Sequence, residues 1–318
     1  SSGVGQPASF ARPGGIRQRR TPLSPAGLLN LSVVYVAWGS TYLAIRIAVG
    51  PGAGFPPFTL GALRVIVAGA ALLLWARLAR EELRLSKREL AVLAASGLLL
   101  WLGGNGLVVW AEQRADSGLA ALLVATAPLW AALTEGFLDR RLPSRLLLGS
   151  LALGLAGTGL LSAPVLTSGL QADLLTIAAL ILAPLFWSLG AVFQSRQSRT
   201  ESGRVRSAYQ HLFGAVGFAL LVVLAGEPAP SPTPEAWVAW GYLVVFGSIF
   251  GFTAFITAIK LLPMSVAMTY AYVNPIIAVA LGAVILKEPI TVWTLAGAAL
   301  ILLGVAGVFQ DRRNGGAG

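Results

Sequence analysis

The sequence predicts an all-α integral membrane protein, with ten transmembrane helices arranged as two inverted five-helix repeats around a central cavity. Three observations predict it. Long apolar runs recur along the chain, the basic residues alternate between those runs, and the two halves repeat each other's motifs at a nearly constant offset.

Composition sets the class. The 318 residues are 56% hydrophobic and 11% charged, with a mean hydropathy of +0.76. A soluble domain carries about 25% charged residues, so most of this chain's surface is expected to face lipid. The net charge of +10 does not point to nucleic acid, because the basic residues form short clusters between apolar runs. Without cysteine there is no thiolate metal site and no thiol nucleophile. One histidine, His211, cannot build an imidazole cluster, so neither a metal nor another cofactor is expected.

Residues 1–27 are rich in Pro, Gly, Ser and Arg and form a basic cytoplasmic tail; they lack the apolar core of a cleavable leader. A bilayer helix needs about 20 largely apolar residues. Such runs occupy 28–48, 58–78, 89–110, 116–138 and 144–162, which make the first repeat, 28–162. The second repeat, 171–310, holds runs at 171–193, 207–225, 235–258, 262–285 and 291–310, and residues 311–318 are a cytoplasmic tail. Turn residues mark the breaks: Gly50 to Pro57, Pro143, and Pro228 to Pro234.

Charge gives the orientation. All but four of the 23 basic residues fall in the two tails, in the segments after even-numbered spans, or at the span ends that border those segments. Of the four, Arg114 and Lys287 lie on the opposite face, and Arg46 and Arg64 lie within spans near it. Short basic loops stay on the cytoplasmic side. Both termini are therefore expected on the cytoplasmic side, with the chain crossing the membrane many times.

At an offset of 147, Ser117–Gly118–Leu119–Ala120 through Pro128 runs against Met264–Ser265–Val266–Ala267 through Pro275. Arg140 then meets Lys287 and Gly157 meets Gly304, while Trp38 meets Trp187 at an offset of 149. Five spans per repeat is an odd number, so the halves face the membrane in opposite senses. Inverted repeats recur in secondary transporters, with substrate held between them near the midplane. An ancient duplication in a membrane enzyme or scaffold would leave the same pattern.

Several of these residues carry a family resemblance. Trp38–Gly39–Ser40–Thr41–Tyr42 resembles the opening motif of EamA-type members of the drug/metabolite transporter superfamily, and Ala62–Leu63–Arg64 resembles their second-span motif. Residues Ser117 to Leu129 are similar to the family's most typical stretch. Gly247–Ser248, Leu261–Leu262–Pro263, Asn274–Pro275 and Lys287 to Thr291 repeat the pattern in the second half. The tryptophan-rich interior looks most like the YddG-type exporters of aromatic and other amino acids. The resemblance implies ten helices around a central cavity and export across a bacterial inner membrane.

Candidate cavity residues come from polar and aromatic stripes at helical spacing. Trp101 and Asn105 share a face of the third span, and Glu112 continues that stripe at its outer end. Trp130 stands between Thr126 and Thr134 in the fourth span; Trp187 and Ser188 come just after Pro184; Tyr270 and Asn274 precede Pro275. With Trp38 and Tyr42 these residues would line an aromatic-walled cavity with hydroxyls and amides and few charges. Helix packing explains each stripe singly, since Asn in a membrane commonly bonds between helices. Aromatic walls with a few polar groups suit a small-molecule ligand.

Buried charges have two readings. Arg46 and Arg64 either snorkel to the outer interface or attract a substrate carboxylate, and Glu135 either snorkels or pairs with Arg140. His211 is either a proton relay or a packing residue. Pro128 and Pro275 occupy matching positions, as hinges for alternating access or as static kinks.

Taken together these features predict an exporter of small metabolites, foremost aromatic or other neutral amino acids, working by alternating access. Other metabolites, drugs, or a nucleotide-sugar-type exchange are the alternatives. No HExxH, GxSxG or P-loop motif is present, so neither an enzyme nor an ATPase is expected from this chain. Its expected partners are the lipid bilayer and a small-molecule substrate.

Overall fold

The computed structural model describes residues 23–115, 117–163, 173–197, 202–285 and 290–314. Residues 1–22 of the basic tail, Arg199, the Lys287–Glu288–Pro289 motif and residues 315–318 lie outside these, so the matching of Arg140 with Lys287 has no structural counterpart here.

The described residues form an all-helical bundle. Its helices are α1 (Pro25–Val49), α2 (Pro57–Leu78), α3 (Lys87–Ala111), α4 (Leu119–Asp139), α5 (Arg145–Leu161), α6 (Leu174–Ser195), α7 (Gly203–Ala225), α8 (Pro234–Leu261), α9 (Met264–Leu281) and α10 (Val292–Arg313). Nine of them are long and apolar enough to cross a membrane among the described residues; α5, with 17 residues, is shorter. At about 1.5 Å per residue, α5 reaches roughly 25 Å, against a hydrocarbon core of about 30 Å.

Local chemistry starts these helices where it should. Ser24, Ser86, Ser144, Asp173, Ser202, Thr233 and Thr291 each accept a first-turn backbone N–H. Helix α2 begins with prolines and takes its cap from another part of the chain. The Glu227 carboxylate accepts from the Phe58 and Thr59 backbone nitrogens at 2.8 and 2.7 Å, where the helix dipole favours negative charge. Large apolar side chains such as Leu29, Val36, Val223 and Leu302 are more than half exposed on the outside, the face a bilayer would cover.

The most extensive pairings are α5 with α10 and α2 with α7; α1 packs on α8 and α9, and α6 packs on α3 and α4. Exchanging α1–α5 with α6–α10 maps α5–α10 and α2–α7 onto themselves and turns α1–α8 and α1–α9 into α6–α3 and α6–α4. The α5–α10 contact shows the exchange at atomic scale. Gly157 lies against the Ile301 nitrogen and the Gly297 oxygen, and Gly304 lies against the Gly154 nitrogen and the Ser150 oxygen. Those partners are themselves 147 residues apart.

Five helices are irregular, and their irregular segments face the interior. In α3 the stretch Leu98–Gly106 is π-helical, and in α8 the stretch Leu243–Phe252 is π-helical. Helix α1 breaks at Ser40, α4 at residues 125–126 and α9 at residues 268–269. At one end of the bundle, side chains tie helix ends together. Arg196 pairs with Asp139 at 2.7 Å, Arg204 pairs with Glu81, Ser144 donates to Asp311, and Arg312 donates to Ser265 at 3.1 Å.

Candidate substrate cavity

The irregular segments surround one interior cavity of about 80 Å3, room for several water-sized occupants. Its walls come from α1, α2, α3 and α4 of the first half and α6, α8 and α9 of the second. Of the nine predicted lining residues, Trp38, Tyr42, Trp101, Asn105, Trp187, Tyr270 and Asn274 border it.

The aromatic wall is one connected packing unit. Trp38 meets Trp187 edge-on at 5.3 Å between ring centroids and Tyr270 at 4.9 Å. Phe255 backs Trp38 at 5.1 Å and Trp187 at 5.4 Å. The Trp38 indole N–H donates to the Gly247 carbonyl at 2.9 Å, inside the π-helical stretch of α8. A widened turn of this kind commonly sits at a functional site. The π-helical stretch of α3 presents Trp101, Gly104 and Asn105. A Cβ on Gly104 would lie 2.7 Å from the Trp187 ring, so the absent side chain lets α3 and α6 approach.

Trp130 and Ser188 do not border the cavity. Helix α4 instead contributes Val124 and Ala127, one on each side of its break at residues 125–126. Thr134 bonds back to the Trp130 carbonyl at 2.8 Å, and Trp130 is half-buried away from the lining. Ser188 is fully buried and donates to the Ala127 carbonyl at 2.8 Å. It holds α6 against the start of the second part of α4.

Arg64 is the principal addition to the predicted lining. It is 3% exposed and does not reach an interface. Its Nε donates to Ser248 Oγ at 2.7 Å, across the two halves. Its guanidinium carbon sits 5.1 Å from the Trp101 ring centroid, a cation–π arrangement. A Cβ on Gly247 would come within 2.8 Å of Arg64 Nη2, so Gly247 makes the room the guanidinium fills. Nη1 is buried with no hydrogen-bond partner among the described residues. An arginine inside a span was the available signal; its partner Ser248 was visible only as half of a motif.

The other buried charges resolve differently. Half-buried Arg46 donates to the Glu112 and Ala115 carbonyls at 2.9 and 3.4 Å, capping the end of α3. Glu112 is wholly buried, and neither carboxylate oxygen has a hydrogen-bond partner among the described residues. Glu135 lies within electrostatic reach of Arg312 and Arg196, rather than beside Arg140, which is exposed in a left-handed helix cap. His211 is wholly buried beside the Ser207 carbonyl at 2.7 Å and packs against Trp101 and Phe252; it lies behind the wall.

The matched prolines sit differently in their helices. Pro128 opens the second part of α4 just after its break, whereas Pro275 lies inside the helical stretch Tyr270–Ile285, six residues past the break in α9. What the two breaks share is a threonine. Thr126 bonds back to the Leu123 carbonyl at 2.7 Å, and Thr269 to the Val266 carbonyl at 2.6 Å. Such back-bonding competes with the helix ladder and bends helices.

Known proteins agree with this architecture. The model of the EamA-like transporter family matches twice, over residues 25–163 and 174–310. The chain is 34% identical over 254 residues to YedA of Escherichia coli (strain K12), described as an uncharacterized inner membrane transporter, covering 79% of this chain and 80% of that one. It is 26% identical over 285 residues to a probable terminal-alkyne amino-acid exporter of Streptantibioticus cattleyicolor, covering 89% of this chain and 92% of the relative. A crystal structure superposes with a TM-score of 0.75 at 24% identity, covering 91% of this chain and 98% of the other; that likeness is one of fold. Matched in both halves by the family model, the chain is a membrane transporter belonging to the EamA-like transporter family.

Proposed function

We propose that the protein exports small metabolites, foremost neutral and aromatic amino acids in the manner of YddG-type exporters, across a bacterial inner membrane. The observation that carries this reading is the cavity itself. It lies between the two halves and combines aromatic rings packed edge to face with the Asn105 and Asn274 amides, and no acidic residue lines it among the described residues. Rings accommodate an apolar or aromatic side chain, and a few polar groups orient the rest of the ligand. A site for organic cations would be expected to offer a carboxylate instead. A relative described as a probable amino-acid exporter supports the substrate class.

The transport mechanism we infer is alternating access by two inverted five-helix repeats, with α5 as the tenth span and both termini cytoplasmic. The exchanged contacts of Gly157 and Gly304 support a two-fold relation between halves, and an odd number of helices per half makes that relation an inversion. A relative described as an inner membrane transporter supports the compartment.

Transport by the purified protein in liposomes tests the function. A panel of labelled amino acids, sugars, nucleotide sugars and cationic drugs would be offered with and without a proton gradient. Saturable uptake of neutral or aromatic amino acids is expected; uptake confined to the drugs or the nucleotide sugars would refute it.

A further inference from the structure

Arg64 carries a permanent charge in a place where charge is expensive. A guanidinium stays protonated in proteins, and an intramembrane ionisable residue normally faces a partner. Arg64 forms no ion pair with any described residue; its Nε bond goes to the neutral Ser248 hydroxyl. The Trp101 ring offsets part of the cost, yet Nη1 remains without an acceptor while the side chain borders the cavity. Four further polar atoms in the lining have no hydrogen-bond partner among the described residues. They are two donors, Trp101 Nε1 and Trp187 Nε1, and two acceptors, Asn105 Oδ1 and Asn274 Oδ1.

We propose that Arg64 anchors the carboxylate of the transported molecule, and that the Asn105 and Asn274 amide oxygens accept from its ammonium group. The cavity then selects zwitterionic α-amino acids over molecules that lack either charge. This assignment rests on the amino-acid reading above. It gives four of these groups a ligand of the right sign: carboxylate oxygens for Arg64 and the Trp101 indole, N–H donors for the two amides. Charge-assisted bonds to a guanidinium are about twice as strong as neutral ones, so the carboxylate supplies the larger part of recognition. The side chain of the ligand is left to the Trp38, Trp187 and Tyr270 rings.

The test compares ligands on the unaltered protein, then on variants. Binding of L-phenylalanine, L-phenylalaninamide and 3-phenylpropionate to the purified transporter is measured by quenching of tryptophan fluorescence, with competition against labelled phenylalanine uptake in liposomes. Phenylalanine should bind at least about tenfold more tightly than the amide, which lacks the carboxylate. In Arg64→Gln that preference should vanish, and in Arg64→Lys it should persist in weakened form. Asn105→Ala and Asn274→Ala should narrow the margin of phenylalanine over 3-phenylpropionate while leaving the margin over the amide. Equal binding of phenylalanine and its amide by the unaltered protein would overturn the anchor and leave the amino-acid reading standing. An Arg64→Gln variant that keeps the full preference would do the same. Binding of 3-phenylpropionate without phenylalanine would overturn the amino-acid reading and keep the anion site. Because the ligand comparison needs no variant, poor folding of Arg64→Gln does not remove the test.

Discussion

Gly157 on α5 and Gly304 on α10 occupy exchanged places in one contact. A methyl group on either would lie 2.7 Å from a backbone nitrogen of the facing helix, that of Ile301 or that of Gly154. Backbone cannot yield as a flexible side chain does, so both positions depend on the missing Cβ. Gly157→Val and Gly304→Val are each expected to lower stability in detergent by about 1–3 kcal/mol, the range of overpacked cores. The two losses should be similar, and the double variant should lose less than their sum, because the first substitution opens the contact for the second. Thermal unfolding monitored by fluorescence measures this. A wild-type melting temperature in either single variant would contradict the close approach.

Orientation can be read by cysteine labelling, since the chain has no cysteine of its own. Ala229 and Glu82 are exposed in the segments before α8 and before α3. They are better sites than Gly52, which has a φ of +80°, or Ser86, whose hydroxyl caps α3. With the termini cytoplasmic, Ala229→Cys should react with an impermeant thiol reagent in intact cells, and Glu82→Cys only after permeabilisation. Labelling of Glu82→Cys in intact cells would invert the proposed topology.

The aromatic wall predicts selective losses. Trp187 is half-buried against the cavity, so Trp187→Ala should reduce transport of aromatic substrates about tenfold or more at matched abundance, on the scale of losing a contact worth ~2 kcal/mol. Trp187→Phe should recover most of it. Trp101 also packs on His211 and Phe252, so Trp101→Ala should lower stability as well as transport. Normal uptake by Trp187→Ala at wild-type abundance would reduce that ring to packing.

The limits of sequence reading show at particular residues. The positions of the helices were legible because hydropathy over some 20 residues is a strong, local signal, and the predicted 58–78 lies within one residue of α2. Trp38, Trp101 and Trp187 were legible as interior residues because each falls well inside its span, away from the depth at which tryptophans anchor a helix to an interface. Trp130 was misplaced because helical spacing tells which residues of α4 share a face, not which face meets the cavity, and Val124 and Ala127 border it instead. Arg64 was under-read because seven residues from a helix start looks like snorkelling distance. Only the packing shows Gly247 making room for it and Ser248 holding it. Hydropathy has no term for a widened turn, so the two π-helical stretches were invisible.

Acid should loosen one cross-link outside the spans. Partial burial raises the Glu81 carboxyl, but hydrogen bonds from Arg204 and Ser202 and the Arg204 charge outweigh it and hold it below its ordinary value. A depressed carboxylate contributes stability that is present above its unfolded pKa, near 4.3, and is lost as pH falls through its folded one. Wild type should therefore exceed Glu81→Gln in melting temperature at pH 7, and the gap should narrow below about pH 4. A gap independent of pH between about 7 and 3.5 would mean that the carboxylate charge contributes nothing.

Alternating access needs places where helices bend, and the breaks in α4 and α9 are the candidates. We locate the bending at the Thr126–Pro128 and Val266–Thr269 segments, rather than at the two matched prolines themselves. Proline at 128 has no N–H to give the Val124 carbonyl and crowds the preceding turn, so α4 gives way there. Pro275 removes the same bond from Ala271 but sits within continuous helix, while α9 gives way earlier, where Thr269 bonds back to Val266 and also meets the Tyr35 hydroxyl at 2.6 Å. If both breaks act as hinges, Pro128→Ala should slow transport several-fold while leaving substrate affinity nearly unchanged. Thr269→Val, which keeps the shape and removes the hydroxyl bonds, should do likewise, and Pro275→Ala should have the smaller effect. Cysteine accessibility of cavity residues from each side of the membrane reports the balance of open states, and the α4 and α9 variants should shift it in opposite directions. A slower Pro275→Ala beside a normal Thr269→Val would return the α9 hinge to the proline. Normal rates and unchanged accessibility in all three variants would leave both breaks as static bends that shape the cavity.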